Sequence, residues 1–267
     1  CKAGLADVGM WMPEQAQLEL LMSYGISVYQ VNLHRLKELQ PDVILTQLQE
    51  LPCCLSTDML DEWEEALADF LGHRARIVHL AANSLKDVWA DMQLVAGALS
   101  AGQKGTELIS GLKERMRAAS EASRGRPKPR VLCVQWPDPW FAAGSWVPEL
   151  IAMAGGQDIV GREDEAVQFT TDQVKGMSPE VVLFALCGFT LQDAVQKGKQ
   201  TLQASTDAFR ALPAVQHGRV AAFDGTKLFS RPGPLLADTL EALVEVLHPE
   251  AQQFGHHGSG WAMLPQS

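Results

Sequence analysis

The sequence predicts an α/β protein of two βα lobes, each built on parallel strands and joined by one long spine helix, and three observations carry that prediction. Short apolar runs alternate with helical periodicity in both halves of the 267-residue chain. Between the halves, helical periodicity runs across residues 84–122, too far for a single crossover. The third observation is the stretch 131–149, where Val131-Leu132-Cys133-Val134 reads as a buried strand and is followed at once by Trp136, Pro137, Pro139, Trp140, Phe141, Gly144 and Trp146.

In chain order, residues 14–24 predict a helix ending at Gly25, and Ile26-Ser27-Val28-Tyr29-Gln30-Val31 a strand. A short helix over 33–39 is stopped by Pro41, and Val43-Ile44-Leu45-Thr46 is a buried strand. Residues 58–71 predict a helix with Gly72 past its end, and 76–80 the next strand. Ser84-Leu85-Lys86-Asp87 has the spacing of a capped helix start, and the helical stretch it opens has a weak point at Ala101-Gly102. Residues 123–129 close it. After the aromatic loop, 147–154 predict a helix ending at Gly155-Gly156, and an acidic stretch over 161–166 leads to Phe169. Thr170-Thr171-Asp172-Gln173 starts another short helix, with Asp172 near the positive end of its dipole. Residues 179–184 are a strand with Cys187, Gly188 and Phe189 at its end. A helix over 191–209, a last strand over 219–223 and a final helix over 235–247 follow. The domains are thus an N-terminal lobe at 1–83, a spine at 84–125, a C-terminal lobe at 126–250 and a flexible tail at 251–267, where His256-His257-Gly258-Ser259-Gly260 suggests disorder.

Composition excludes several functions. A net charge of −10 and a pI of about 5.2 argue against nucleic acid or an anionic membrane surface as partner. No apolar run reaches the roughly 18 to 20 residues that span a bilayer. Residues 1–20 lack the basic and apolar regions of a signal peptide, so the chain is expected to be mature, not secreted, or without its start. Its five cysteines, at 1, 53, 54, 133 and 187, have no metal-type spacing, and the odd count gives no disulfide framework. Cys133 and Cys187 are expected as reduced, buried thiols, and Cys1 as a chain boundary rather than a lipidated start. The seven His are scattered, with no His-x-x-x-His pair, so no metal is expected. Tyr29 and His34 read as packing and surface residues, and Asp61, Glu62, Glu64 and Glu65 as a solvated helix face. Phosphate-cradling glycine loops and a Gly-x-Ser-x-Gly elbow are missing. With no nucleophile–base pair to support catalysis, the chain reads as a binding protein and not an enzyme, with no catalytic cofactor.

Three of the seven Trp fall within eleven residues, 136–146. An aromatic-dense loop at the C-terminal end of a buried strand either plugs a neighbouring element or lines a ligand cleft. Rigid rings beside Pro and Gly favour the cleft.

Taken together, several segments resemble the substrate-binding proteins of ABC importers for cobalamin and siderophore-type chelates, most nearly the cobalamin-binding branch. They are Leu39-x-Pro41-Asp42-Val43-Ile44-Leu45-Thr46-Gln47, the spine, the 136–149 stretch, Gly155-Gly156, Ser178-Pro179-Glu180-Val181-Val182, Leu212-Pro213-Ala214-Val215 and Phe229-Ser230-Arg231-Pro232-Gly233-Pro234. The resemblance covers about residues 26–250 and implies two Rossmann-like lobes hinged on one long helix, the class III binding-protein arrangement, with cobalamin or a related corrinoid held between them. It puts Trp136, Pro139, Trp140, Phe141, Gly144, Trp146, Cys187, Gly188, Phe189, Phe229 and Arg231 at the ligand, and Asp172 where a carboxylate docks on permease arginines. It also implies an extracytoplasmic place of action, periplasmic or as a lipoprotein. Lys227 stands where the cobalamin binders often carry Asp. Residues 1–25 do not supply the family's first βα unit, and 47–54 depart from its usual first-lobe wall. These departures motivate a second reading, a binding-protein fold recruited as a structural or assembly subunit of a larger complex. A third, a heme or iron-chelate carrier, needs a Tyr or His ligand or an Arg cluster, for which Tyr24, Tyr29 and the scattered His are available.

Overall fold

A computed structural model describes residues 33–47, 68, 71–163 and 165–265. The expected helix at 14–24 and strand at 26–31 lie outside the described residues, as do Cys1, Tyr24, Tyr29, residues 48–54 and most of the helix at 58–71. The chain divides into two compact units, one of residues up to Ala82 with Lys86–Glu107, the other of Asn83–Leu85 with Leu108–Ser267.

In the first unit a short helix, α1 (Leu33–Leu39), precedes β1 (Val43–Gln47), which pairs in parallel with β2 (Arg76–Leu80). Thr46 and His79 face each other in register, hydroxyl to Nδ1 at 2.8 Å. The expected spine is two helices, α2 (Leu85–Ala98) and α3 (Gly102–Ala122), because Ser100 adopts φ 54° between them. The weak point read at Ala101-Gly102 is the start of α3. That helix begins in the first unit and passes into the second at Leu108.

The second unit is built on a seven-stranded sheet. Its central strands are parallel: β3 (Arg130–Pro137), β7 (Val181–Phe184) and β8 (Val220–Phe223), with Val134, Phe184 and Ala222 in one row. Strands buried on both faces read as unbroken apolar runs, and Val131, Leu132, Cys133, Val182, Leu183, Phe184 and Phe223 are essentially unexposed. Burying each such Leu or Phe contributes about 1.5–3 kcal/mol.

On one side of β3 lie the short β4 (Trp140–Ala142) and β5 (Gln157–Asp158), with β6 (Val167–Gln168) beyond β4. The helices are α4 (Val147–Met153), α5 (Thr171–Met177), α6 (Leu191–Ala204), two single turns α7 (Asp207–Arg210) and α8 (Pro213–Gln216), and α9 (Leu236–Leu247). A capping box starts α5, Thr170 Oγ1 accepting from Gln173 N–H while Gln173 Oε1 accepts from Thr170 N–H. Every residue of α9 but Asp238 is buried, Glu241 and Glu245 included.

Three expectations need correction. The 136–149 loop is partly a hairpin, since β4 turns back antiparallel on β3 across a cis Asp138–Pro139 peptide. The helix over 191–209 stops at Ala204, where Thr206 caps a new turn. Within the expected tail, Trp261–Met263 forms β9 at the edge of the sheet, antiparallel to β8, and Trp261 is buried with its Nε1 donating to Glu245 Oε2 at 2.6 Å.

Candidate functional site

The parallel strands β3, β7 and β8 end side by side, the usual position for a ligand in an open α/β sheet. Their three following segments are tied together through the backbone. Cys187 N–H donates to Gln135 O at 3.4 Å, and Gly188 N–H to Gly225 O at 3.2 Å. Gly225 is required here, since a Cβ would collide with the Leu186 carbonyl. Gly188, at φ 77°, turns the chain so that Phe189 meets Trp136 edge to face, centroids 5.9 Å apart. Both rings are half-buried, and Trp136 Nε1 donates to Asp138 O at 2.9 Å. The sequence expectations Trp136, Cys187, Gly188 and Phe189 therefore share one edge.

Arg231 stands on the adjoining loop, where the buried Asp224 accepts from Thr226 N–H at 3.0 Å and from the Thr226 hydroxyl. Lys227 Nζ lies 3.6 Å from Asp224 Oδ2 and is mostly exposed. Arg231, itself exposed, donates from Nε to Thr226 O at 3.0 Å. The loop thus carries two cations, and its base is tied to the segment of Phe189 by the Gly188 N–H bond to Gly225 O. Asp224, Gly225 and Thr226 were not singled out from sequence; the available signal was an Asp-Gly pair directly after an apolar run.

Other expected residues lie deeper. Trp146 is 4% exposed and Phe229 2%, and the indole Nε1 donates to the Phe229 carbonyl at 2.6 Å. The Phe229 ring packs edge-on against Phe223 at 4.9 Å, so these two expected ligand residues lie buried in the unliganded chain. Trp140 stacks on Phe209 at 4.7 Å and leans on Phe169 at 5.6 Å, against the hydrophobic core. Pro139 and Phe141 are half-buried in the hairpin, and Gly144 is buried where a Cβ would strike the Glu165 carbonyl. Asp172 is exposed in the first turn of α5, away from this edge in sequence and on its own element.

Neither Cys133 nor Cys187 is in a disulfide. Burial pushes the Cys133 thiol well up, with the Asp158 charge adding to it, so Cys133 is inert; Cys187 is half-buried rather than buried as expected. Among the described residues no helix is long and apolar enough to cross a membrane.

Solved structures share this fold. A periplasmic heme binding protein from Pseudomonas aeruginosa superposes with a TM-score of 0.66 at 19% identity, covering 84% of this chain and 77% of that one. The periplasmic heme-binding protein RhuT from Roseiflexus sp. RS-1 gives 0.64 at 22% identity over 84% and 81%. An ABC transporter substrate-binding protein from Listeria monocytogenes gives 0.64 at 17% over 82% and 81%. At these identities the likeness is one of fold. No curated protein matches the sequence. The model of the periplasmic binding protein family matches residues 26–226, most of the chain, and the chain therefore belongs to that family.

Proposed function

We propose that the chain captures a flat metal-chelating macrocycle, cobalamin or a related corrinoid, against the aromatic edge of its C-terminal unit. The observation that carries the reading is the half-buried Trp136–Phe189 pair at the ends of β3 and β7, with Arg231 on the next loop. Ring edges and faces suit a large apolar plate, and a guanidinium donates in a fork to amide, carboxylate or phosphate oxygens at its rim. Pro139, Trp140, Phe141, Gly144, Trp146 and Phe229 serve this edge by holding the hairpin and the loop behind it, while Cys187 and Gly188 aim Phe189. Asp172 is proposed to meet an arginine of a permease, and the place of action to be extracytoplasmic, in keeping with the family.

A specific observation favours a second reading, heme or another iron chelate. Lys227 joins Arg231 on one loop, and two cations suit a ligand with carboxylate arms better than the amides of a corrin. The heme-binding proteins among the fold neighbours support the same reading.

Titrating the purified protein with cyanocobalamin and, separately, with heme distinguishes the two. A saturable shift of the visible bands, micromolar or tighter, with one ligand identifies it. No shift with either at high protein concentration counts against capture of a macrocycle.

A further inference from the structure

The C-terminal segment, residues 254–264, holds two distant parts of its unit at once. Its anchor is Glu245 on α9, 1% exposed. Glu245 Oε1 accepts the backbone N–H groups of Phe254, Gly255 and His256 at 2.5, 2.6 and 3.2 Å, and Oε2 accepts Trp261 Nε1 at 2.6 Å. Burial raises this carboxyl, but the Trp261 indole and the three amides outweigh it and leave the group below its ordinary value.

From this anchor two arms extend. One runs through His256, whose Nε2 lies 2.8 Å from Glu241 Oε2. The same carboxylate takes Arg115 of α3 in a fork, Nη2 at 2.7 Å and Nε at 3.1 Å, and Arg115 Nη2 also reaches Asp238 Oδ1 at 2.6 Å. Asp238, Glu241 and His256 bring three possible metal-ligand atoms within 4.8 Å of one another, and Arg115 supplies the positive charge beside them. The other arm runs through Gly260, whose carbonyl accepts from Asp224 N–H at 2.8 Å. Asp224 opens the loop that carries Thr226, Lys227 and Arg231. A Cβ on Gly260 would press on Leu228, so the strap lies directly against that loop.

We propose that residues 254–264 form a strap that couples α3 to the loop at 224–231, fixing Arg115 through His256 and Glu241 at one end and the base of the loop through Gly260 at the other. Both arms depend on one carboxylate, so weakening Glu245 loosens both, and local openings propagate along elements that share such contacts. Only the description of the loop as ligand-facing rests on the proposed function; the coupling itself is a property of the unliganded chain.

Amide hydrogen exchange without ligand tests it, comparing wild type with Trp261→Phe, Glu245→Gln and His256→Ala. Trp261→Phe keeps an aromatic ring, smaller than the indole, and removes one bond to Glu245. It is expected to speed exchange about tenfold at 254–264 and also at 109–122 and 224–231, with β3 and β7 unchanged. Glu245→Gln gives the same pattern, larger. His256→Ala cuts one arm, so exchange rises in α3 while 224–231 keeps its protection. Faster exchange confined to 254–264, or spread evenly into β3 and β7, overturns the coupling. Because no macrocycle is present, this outcome is independent of whether cyanocobalamin or heme binds.

Discussion

Two groups of rings that sit close together along the chain have opposite surroundings. Trp140 and Trp146 turn inward, one stacked on Phe209 and the other 4% exposed with its N–H on the Phe229 carbonyl. Trp136, a few residues earlier, stays half-buried and meets only the edge of Phe189 among described rings. The register of β3 against β4 slips between Val134 and Trp136, and such a bulge re-aims the side chain that follows it. A tryptophan is useful in both settings, as core filler with a polar handle and as a rigid contact plate. Here the same residue type is buried at Trp146 and half-buried at Trp136, just past the register slip.

The largest effect that separates the two sets is on stability. Trp146→Ala is expected to cost about 3–5 kcal/mol in denaturant unfolding, whereas Trp136→Ala costs about 1 kcal/mol or less. Equal losses would put both rings in the same core. The milder Trp146→Phe keeps an aromatic ring, gives up the pyrrole part of the indole and leaves the Phe229 carbonyl without its donor, for about 1–3 kcal/mol.

A second contrast lies at the opposite end of β3. There Asp158 pairs in register with Val131, accepts from Val160 and Gly161 N–H at 2.9 and 2.7 Å through Oδ1, and leaves Oδ2 buried with no partner. Burial raises this carboxyl above its ordinary value of 3.8, against the pull of those two amides. A raised pKa means the folded chain holds the proton more tightly than the unfolded one. The stabilising contribution is therefore present below the ordinary carboxylate value and is lost as pH rises through the folded one. Asp158→Asn is expected to raise the unfolding midpoint at neutral pH, by on the order of 1 kcal/mol, with the gain vanishing in acid. A midpoint lowered at neutral pH would show that the charge is tolerated there.

The smallest effects belong to the loop cations. Arg231→Ala and Lys227→Ala are each expected to weaken binding of a carboxylate-bearing macrocycle about two- to fivefold, more at low salt, and to leave stability nearly unchanged. A corrinoid, with amides at its rim, should notice Lys227→Ala less than heme does.

Much of the fold was legible because its central strands are short unbroken apolar runs. Val131-Leu132-Cys133-Val134 and the stretches 179–184 and 219–223 read as strands from their apolar runs, and β3, β7 and β8 lie there, with β7 starting at Val181 and β8 at Val220. The hairpin was missed because Pro137 and Pro139 signal a break, which hid the return of Trp140-Phe141-Ala142 onto β3. The C-terminal strand was missed for a similar reason. His256 to Gly260 looks unstructured, and nothing local shows that Glu245, earlier in the chain, collects its amide groups. At the candidate site, the sequence shows Trp136, Phe189 and Arg231 as residue types near strand ends, and the structure pairs the first two ring to ring. That Trp146 and Phe229 meet in the interior depends on a hydrogen bond across 83 residues of sequence, which no periodicity encodes.

The central claim is that the outer pair contacts the ligand and the inner rings support it. Visible-absorption titration of Trp136→Ala and Trp146→Phe, run side by side with whichever macrocycle binds the wild type, tests it most directly. The account predicts that Trp136→Ala loses about tenfold or more in affinity while Trp146→Phe, though less stable, binds nearly as well as wild type. Unchanged binding by Trp136→Ala together with loss in Trp146→Phe would contradict it.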